Sequence, residues 1–199
     1  VHMQIHQRRN LLEIEIKSAL KKGGNLIVPV FALERTQELL LDIATLIEQG
    51  KIPNISVFVD SPLASQATKV FKKLANELED LSDPNIFSHT SIHYVDDVEV
   101  SKRLNNVTGA IILAASGMCE AGRIRHHLIH NLPRANSTIL FVGFQAQGSL
   151  GRTILDGAKM VRISGQEVSI KAQIRQIDSY SAHADQSELV DWIKGRLPI

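Results

Sequence analysis

The sequence predicts an α/β fold in three layers, with a mainly parallel sheet held between two layers of helices. Two observations carry this. Short apolar, β-branched runs without polar alternation recur along the chain, as expected of strands buried on both faces. Between them lie segments with apolar residues at helical spacing, and β-then-α alternation builds parallel sheets with helices on both faces. The 199 residues suit one such domain with a small appendage.

Taken in order, residues 10–22 place Leu12, Ile16, Ala19 and Leu20 on one helical face, and Gly23-Gly24 ends the helix. Asn25–Phe31 (NLIVPVF) reads as a strand buried on both faces, and Thr36–Gln49 as a helix stopped at Gly50. Ile55–Val59 is a second strand and Ser65–Glu79 a helix, with a loop over Leu81–His89 around an Asp-Pro step. Ser91–Val95 is the third strand, Val98–Asn105 a short helix and Ala110–Ala115 (AIILAA) the fourth strand. The helix Ala121–Asn131, the strand Thr138–Gly143 and a helical turn over Leu150–Asp156 follow. From Lys159 the pattern changes: Met160–Ile163 and Glu167–Ile177 read as strands around Ser164-Gly165, and Gln186–Lys194 as a helix. This tail is expected either to extend the sheet or to form part of a second layer.

Composition narrows the function classes. Hydrophobic residues at 44% and charged residues at 22% give a core-forming chain and exclude wholesale disorder. No stretch approaches the roughly 18 apolar residues of a membrane span, and no basic-then-apolar leader is expected. The single cysteine, Cys119, excludes an internal disulfide and a zinc site built from several thiolates, and it suits a reduced, cytoplasmic setting. A net charge of +1 gives no bulk argument for nucleic acid and leaves a local basic groove open. Aromatic residues are sparse, at 5%, and mostly fall in core-like positions, so base stacking has only weak support from this chain.

The chemistry is expected at the strand-to-helix turns, where helix N-termini offer free N–H groups. These turns are Phe31–Thr36 (FALERT), Asp60–Ser65 (DSPLAS), Ser116–Arg123 (SGMCEAGR) and Gly143–Arg152 (GFQAQGSLGR). Arg35, Arg123 and Arg152 with the neighbouring hydroxyls and glycines form a set of donors suited to phosphate oxygens, although each turn taken singly also reads as ordinary capping. There is no Gly-Lys-Ser/Thr and no dinucleotide fingerprint. His126 and His130 share a helix face, but the helix has no His-Glu-x-x-His pattern and reads as a solvated face. His183, among small residues and two positions before Asp185, is a candidate general acid or base, with a helix-capping segment as the alternative. Cys119 reads as structural, because no histidine is placed nearby in sequence to activate it.

Five blocks together resemble one family. Gly24–Leu41 (GNLIVPVFALERTQELLL), Val59–Ala64 (VDSPLA), Ala110–Leu132 (AIILAASGMCEAGRIRHHLIHNL), Thr138–Ile163 and Ser181–Asp185 (SAHAD) are similar, in the same order, to the β-CASP family of metallo-β-lactamase-fold nucleases. The branch resembled is that of RNase J and the endonuclease subunit of the cleavage and polyadenylation specificity factor. The resemblance runs from about Arg8 to Leu197. It implies a β-CASP domain over residues 1–158 and, over 159–199, the returning strands and helix of a metallo-β-lactamase domain.

It further implies a zinc-dependent ribonuclease with two zinc ions, held by a His-x-His-x-Asp-His motif and a further His and Asp that lie N-terminal to this region. No metal ligand is then expected in this chain, apart from the nearness of His183 to the ions. By resemblance His183 protonates the leaving oxygen, and Ser181 contacts the scissile phosphate. Arg35, Thr36, Ser116, Gly117, Met118 and Arg152 are expected along the RNA path. Glu34 stands where glycine is common in the family, and Asp178-Ser179-Tyr180 where a Gly-Phe pair is common. The expected partner is RNA, with a homodimer left open and no membrane. The chain alone is expected to be inert. Two other readings stay open: a non-catalytic RNA-binding clamp, and a phosphosugar- or nucleotide-binding α/β module.

Overall fold

The computed structural model describes residues 5–77, 84–180 and 186–196. Its elements alternate as the sequence predicts: α1 (Ile5–Lys21), β1 (Leu26–Pro29), α2 (Arg35–Glu48), β2 (Val57–Asp60), α3 (Pro62–Lys73), β3 (Ile92–Tyr94), α4 (Val98–Arg103), β4 (Ile111–Ala114), α5 (Ile124–Asn131), β5 (Thr138–Phe141), α6 (Leu150–Leu155), β6 (Met160–Ile163), β7 (Gln166–Ser169), β8 (Gln173–Gln176) and α7 (Gln186–Lys194). Six strands form one sheet in the order β3-β2-β4-β1-β5-β8, and every pairing in it is parallel.

Alternate strand residues feed two cores. Leu26, Val28, Val57, Val59, Ile111, Leu113 and Leu140 pack under α1, α2 and α3. Ile27, Ile112, Ala114, Ile139 and Phe141 point the other way, under α5, α6 and the β6–β7 hairpin. This period of two over strands buried on both faces explains why the sequence shows unbroken apolar runs.

The tail follows both expected options. The stretch 167–177, expected as continuous strand, is broken after Ser169. Its first part closes an antiparallel hairpin with β6, and its second part, β8, returns to the main sheet beside β5. The hairpin covers the sheet with Val161, Ile163 and Val168. Three helix starts also differ from expectation, the first being α1, which begins at Ile5 ahead of the stripe read over 10–22. The third helix begins at Pro62, because Ser61 caps it by accepting from the Ala64 N–H at 3.2 Å and proline is preorganised for the first turn. The helix expected from Ala121 begins at Ile124, since Ser116–Arg123 folds first as a tight turn.

Gly24 shows how closely the loops approach where β1 and β5 start. A Cβ there would lie 2.1 Å from the Asn136 carbonyl oxygen and 2.6 Å from the Ser137 nitrogen. Both are backbone atoms and cannot swing away. Gly24→Ala is therefore expected to cost about 1–3 kcal/mol, read as a lower urea midpoint with an unchanged slope.

Candidate functional site at the carboxyl edge of the sheet

The chain leaves β1 through α2 toward one face, and leaves β4 and β5 through α5 and α6 toward the other. Loops that part in this way open a crevice beyond the carboxyl ends of neighbouring strands. A cleft lies at that place, lined from β1 by Val30, Phe31 and Arg35, from β4 by Gly117 and Met118, and from β5 by Gly143, Phe144 and Gln145. Tyr180, just beyond β8, completes its wall.

Gln145 fastens two of these loops together. It is buried, and its Nε2 donates to the carbonyls of Gly117 (3.0 Å) and Gly143 (3.3 Å). Gly117 lets the Phe31 ring lie close: a Cβ there would fall 2.9 Å from that ring and push it aside. On the β1 side, Glu34 has φ 66° and ψ −63°, and the Arg35 N–H donates to the Leu33 carbonyl at 2.8 Å. That is a three-residue γ-turn in its positive-φ form, which a side chain resists. The γ-turn explains why glycine suits position 34, and Glu34 itself stays at the surface.

Tyr180 is fixed from behind the cleft. Its buried hydroxyl donates to Asp42 Oδ2 at 2.9 Å, and Asp42, itself fully buried, also accepts from Arg8 Nε (2.8 Å) and Arg9 Nε (2.6 Å). The Arg8 guanidinium lies 4.7 Å from the Tyr180 ring centre and that of Arg35 lies 5.9 Å away. Burial and the adjacent Asp42 carboxylate both raise the Tyr180 phenol well above its ordinary range, so it stays a proton donor.

The residues singled out from sequence divide accordingly. Arg35, Gly117 and Met118 meet in the cleft. Arg35 is also paired with Glu38. Thr36 is fully buried and its hydroxyl donates to the Phe31 carbonyl at 2.7 Å, so it shapes the turn from inside. Ser116 is half-buried, and its Oγ accepts from the Ala121 N–H at 3.3 Å, closing the turn before α5. Arg152 turns along α6 to Asp156, with Nε–Oδ2 at 3.0 Å, and does not line the cleft. Ser181 and His183 lie outside the described residues, in the segment that follows Tyr180 directly.

Several features were not evident in the sequence. Phe31 is 48% exposed and Phe144 71%, both at the cleft, so the expectation that aromatics sit in the core fails at these two positions. His126 and His130 are exposed as expected, whereas His127 between them is buried, with its Nε2 2.6 Å from Asp60 Oδ2. Asp60, at the end of β2, also accepts from Ser101 Oγ (2.5 Å) and Arg123 Nη1 (2.6 Å). Burial alone would push the Asp60 carboxyl up, but the hydrogen bonds from His127, Ser101 and Arg123 outweigh it and hold the carboxyl below its ordinary 3.8. Only the spacing of an acid at a strand end and a His-His pair on a later helix hinted at this network. Cys119 is buried, and its thiol is pushed up to about 12, chiefly by that burial, so it is no nucleophile.

Fold and cleft define an open parallel α/β domain with a crevice at the carboxyl edge of its sheet. The chain belongs to the Beta-Casp domain family, whose model matches residues 36–154. A second model, the Zn-dependent metallo-hydrolase RNA specificity domain, matches residues 167–199. Among similar proteins, "Ribonuclease TTHA0252" of Thermus thermophilus is 36% identical over 194 residues, covering 94% of this chain and 44% of that protein. An "RNase J-like protein" of Methanocaldococcus jannaschii is 32% identical over 94% of this chain and 43% of its own length. The "Cleavage and polyadenylation specificity factor subunit 3-I" of Arabidopsis thaliana is 28% identical over 98% of this chain and 29% of its own. The chain thus spans less than half the length of these relatives.

Two outcomes are expected from this geometry. Asp60→Asn removes the charge that pairs Arg123 and His127, and is expected to destabilise by about 3–5 kcal/mol. Because folding lowers the carboxyl pKa, the Asp60 contribution is complete above the unfolded value and is lost as pH falls through the folded one. Urea midpoints measured from neutrality down to below pH 3.8 should therefore show a smaller acid loss in the variant. Glu34→Gly relieves roughly 1–2 kcal/mol of left-handed strain against roughly 0.5–1 of added chain entropy. The expected result is a stability change between zero and a gain of about 1.5 kcal/mol, in contrast to the loss expected from Gly24→Ala.

Proposed function

We propose that this chain is the β-CASP portion of a zinc-dependent ribonuclease, where it binds RNA and supplies the proton donor for phosphodiester hydrolysis. The observation that carries the reading is the switch-point cleft, lined by Arg35, Gly117 and Met118 and walled by the anchored Tyr180, in a chain of this family whose Ser181–Asp185 block comes next in sequence. Hydrolysis of a phosphodiester needs charge neutralisation on the non-bridging oxygens and a proton for the leaving oxygen. In this reading Arg35 and the N–H groups of Gly117 and Met118 hold phosphate beside Ser116, whose own N–H is spent on the Ala121 carbonyl, Ser181 contacts the scissile group, and His183 protonates the leaving oxygen. Arg152, engaged by Asp156, would reach RNA only by exchanging that partner.

Zinc enters through the description of the second matched family model. Among the described residues no group of three or more His, Cys, Asp or Glu side chains is placed to hold a metal ion. The described residues therefore do not make a metal site, and in this reading the ligands of two zinc ions come from elsewhere in the protein. The reading divides the chain near residue 158, with 159–199 belonging to the metal-binding domain. Leu189, Trp192 and Ile193 on α7 are each more than half exposed, which suits burial against the rest of a longer protein or, in a homodimer, a second copy. A cytoplasmic setting fits the single reduced thiol, and among the described residues no helix is long and apolar enough to cross a membrane.

The test compares the 199-residue chain with the intact protein on labelled single-stranded RNA. Chelator-sensitive cleavage is expected from the intact protein and not from the chain supplied with zinc. Robust cleavage by the chain alone would overturn the division of labour. In the intact protein His183→Ala is expected to lower kcat by about 10²–10⁴ with little change in KM. An intact protein that binds RNA and never cleaves it would support the clamp reading instead.

A further inference from the structure

Phe144 and Phe31 have no task in the cleft as described so far. A folded chain gains by burying phenylalanine, so two half- to three-quarter-exposed rings on one cleft are the kind of apolar exposure that marks a binding surface. Their supports are rigid. Gln145, next in sequence to Phe144, is itself buried and ties the carbonyls of Gly143 and Gly117 together, which clamps the backbone on both sides of the Phe144 ring. The Phe31 ring rests on Gly117, where a side chain would displace it. The Phe31 carbonyl is held by Thr36. Arg35 supplies a cation in the same lining.

Exposed aromatic faces beside a cationic group are the two features that single-stranded nucleic acid requires, the rings for bases and the cation for the backbone. We propose that Phe144 and Phe31 form a nucleobase-stacking subsite, in which an unstacked base of single-stranded RNA lies on the Phe144 ring with Phe31 on the β1 side of the same slot. This deepens the ribonuclease reading and rests on it. Base identity is read weakly here, because every base offers a π-face. Duplex RNA is disfavoured, since its bases are not free to enter.

The intact protein and a non-hydrolysable single-stranded RNA carrying one 2-aminopurine, moved along the strand in successive oligonucleotides, provide the test. At one position binding is expected to quench the fluorescence. Phe144→Ala should abolish that quenching and weaken binding by about tenfold, with the slope of affinity against salt unchanged. Phe144→Tyr should bind as the unmodified protein does, and Phe144→Leu should behave like alanine. An RNA with an abasic nucleotide at the quenched position should lose the same factor, and Phe144→Ala should then cost nothing more. Phe144 is exposed, so the variants do not threaten the fold. Equal binding by the Ala and unmodified proteins, or full rescue by Leu, overturns the stacking subsite while leaving the ribonuclease reading intact. The Leu result would indicate an apolar contact with the ribose in place of base stacking. Failure of the unmodified protein to bind RNA at all overturns both.

Discussion

The handedness of βαβ crossovers governs this molecule. Parallel strands are joined by right-handed connections, so the direction in which the chain steps across the sheet decides which face its helix covers. From β1 the chain steps to β2 and β3 with α2 and α3 on one face, then reverses through β4, β5 and β8 with α5 and α6 on the other. The reversal leaves β1 between two strands whose exit loops turn the opposite way. The cleft opens where those loops part, and its walls are Phe31 and Arg35 on one side and Gly117, Phe144 and Gln145 on the other.

Two buried carboxylates hold the rims of that edge. Asp42 joins α2 to α1 through Arg8 and Arg9 and fixes Tyr180 beyond β8. Asp60 joins the end of β2 to α5 through Arg123 and His127, and to α4 through Ser101. A buried carboxylate without partners would be costly, and each of these has at least three donors. The two networks tie together elements far apart in sequence. They secure geometry that the short strands, mostly four residues long, would hold loosely alone.

What could be read from the sequence follows from the range of the physics involved. Strand identity and order of alternation were legible because double-sided burial writes itself into local runs such as AIILAA. The cleft turns were legible because glycine, arginine and capping hydroxyls cluster where strands feed helices. The roles inside those turns were not. Arg35 and Thr36 are adjacent, yet one faces the cleft and the other is sealed behind it, a distinction set by the γ-turn at Glu34. His127 was passed over for its neighbours because its partner Asp60 lies 67 residues away. Tyr180 in place of phenylalanine carries its meaning only through Asp42, 138 residues distant. Phe31 and Phe144 resembled core residues because an apolar run does not show where it emerges from the sheet.

The charge arithmetic gains a different sense from this arrangement. The cleft has a single guanidinium among its lining residues, and Glu38 partly neutralises it. A site of this kind cannot draw RNA by electrostatic attraction in the manner of a basic groove, where affinity scales with the number of phosphates neutralised. In the proposed reading, recognition comes from groups whose strength does not depend on net charge: backbone N–H donors on rigid glycine turns, and aromatic faces left exposed to water. Both require that the loops be held before the ligand arrives, which is the work done by Gln145 between β4 and β5 and by Asp42 behind Tyr180. A nearly neutral chain and the proposed phosphate-bearing ligand are then compatible, because a preorganised site needs less long-range attraction to bind.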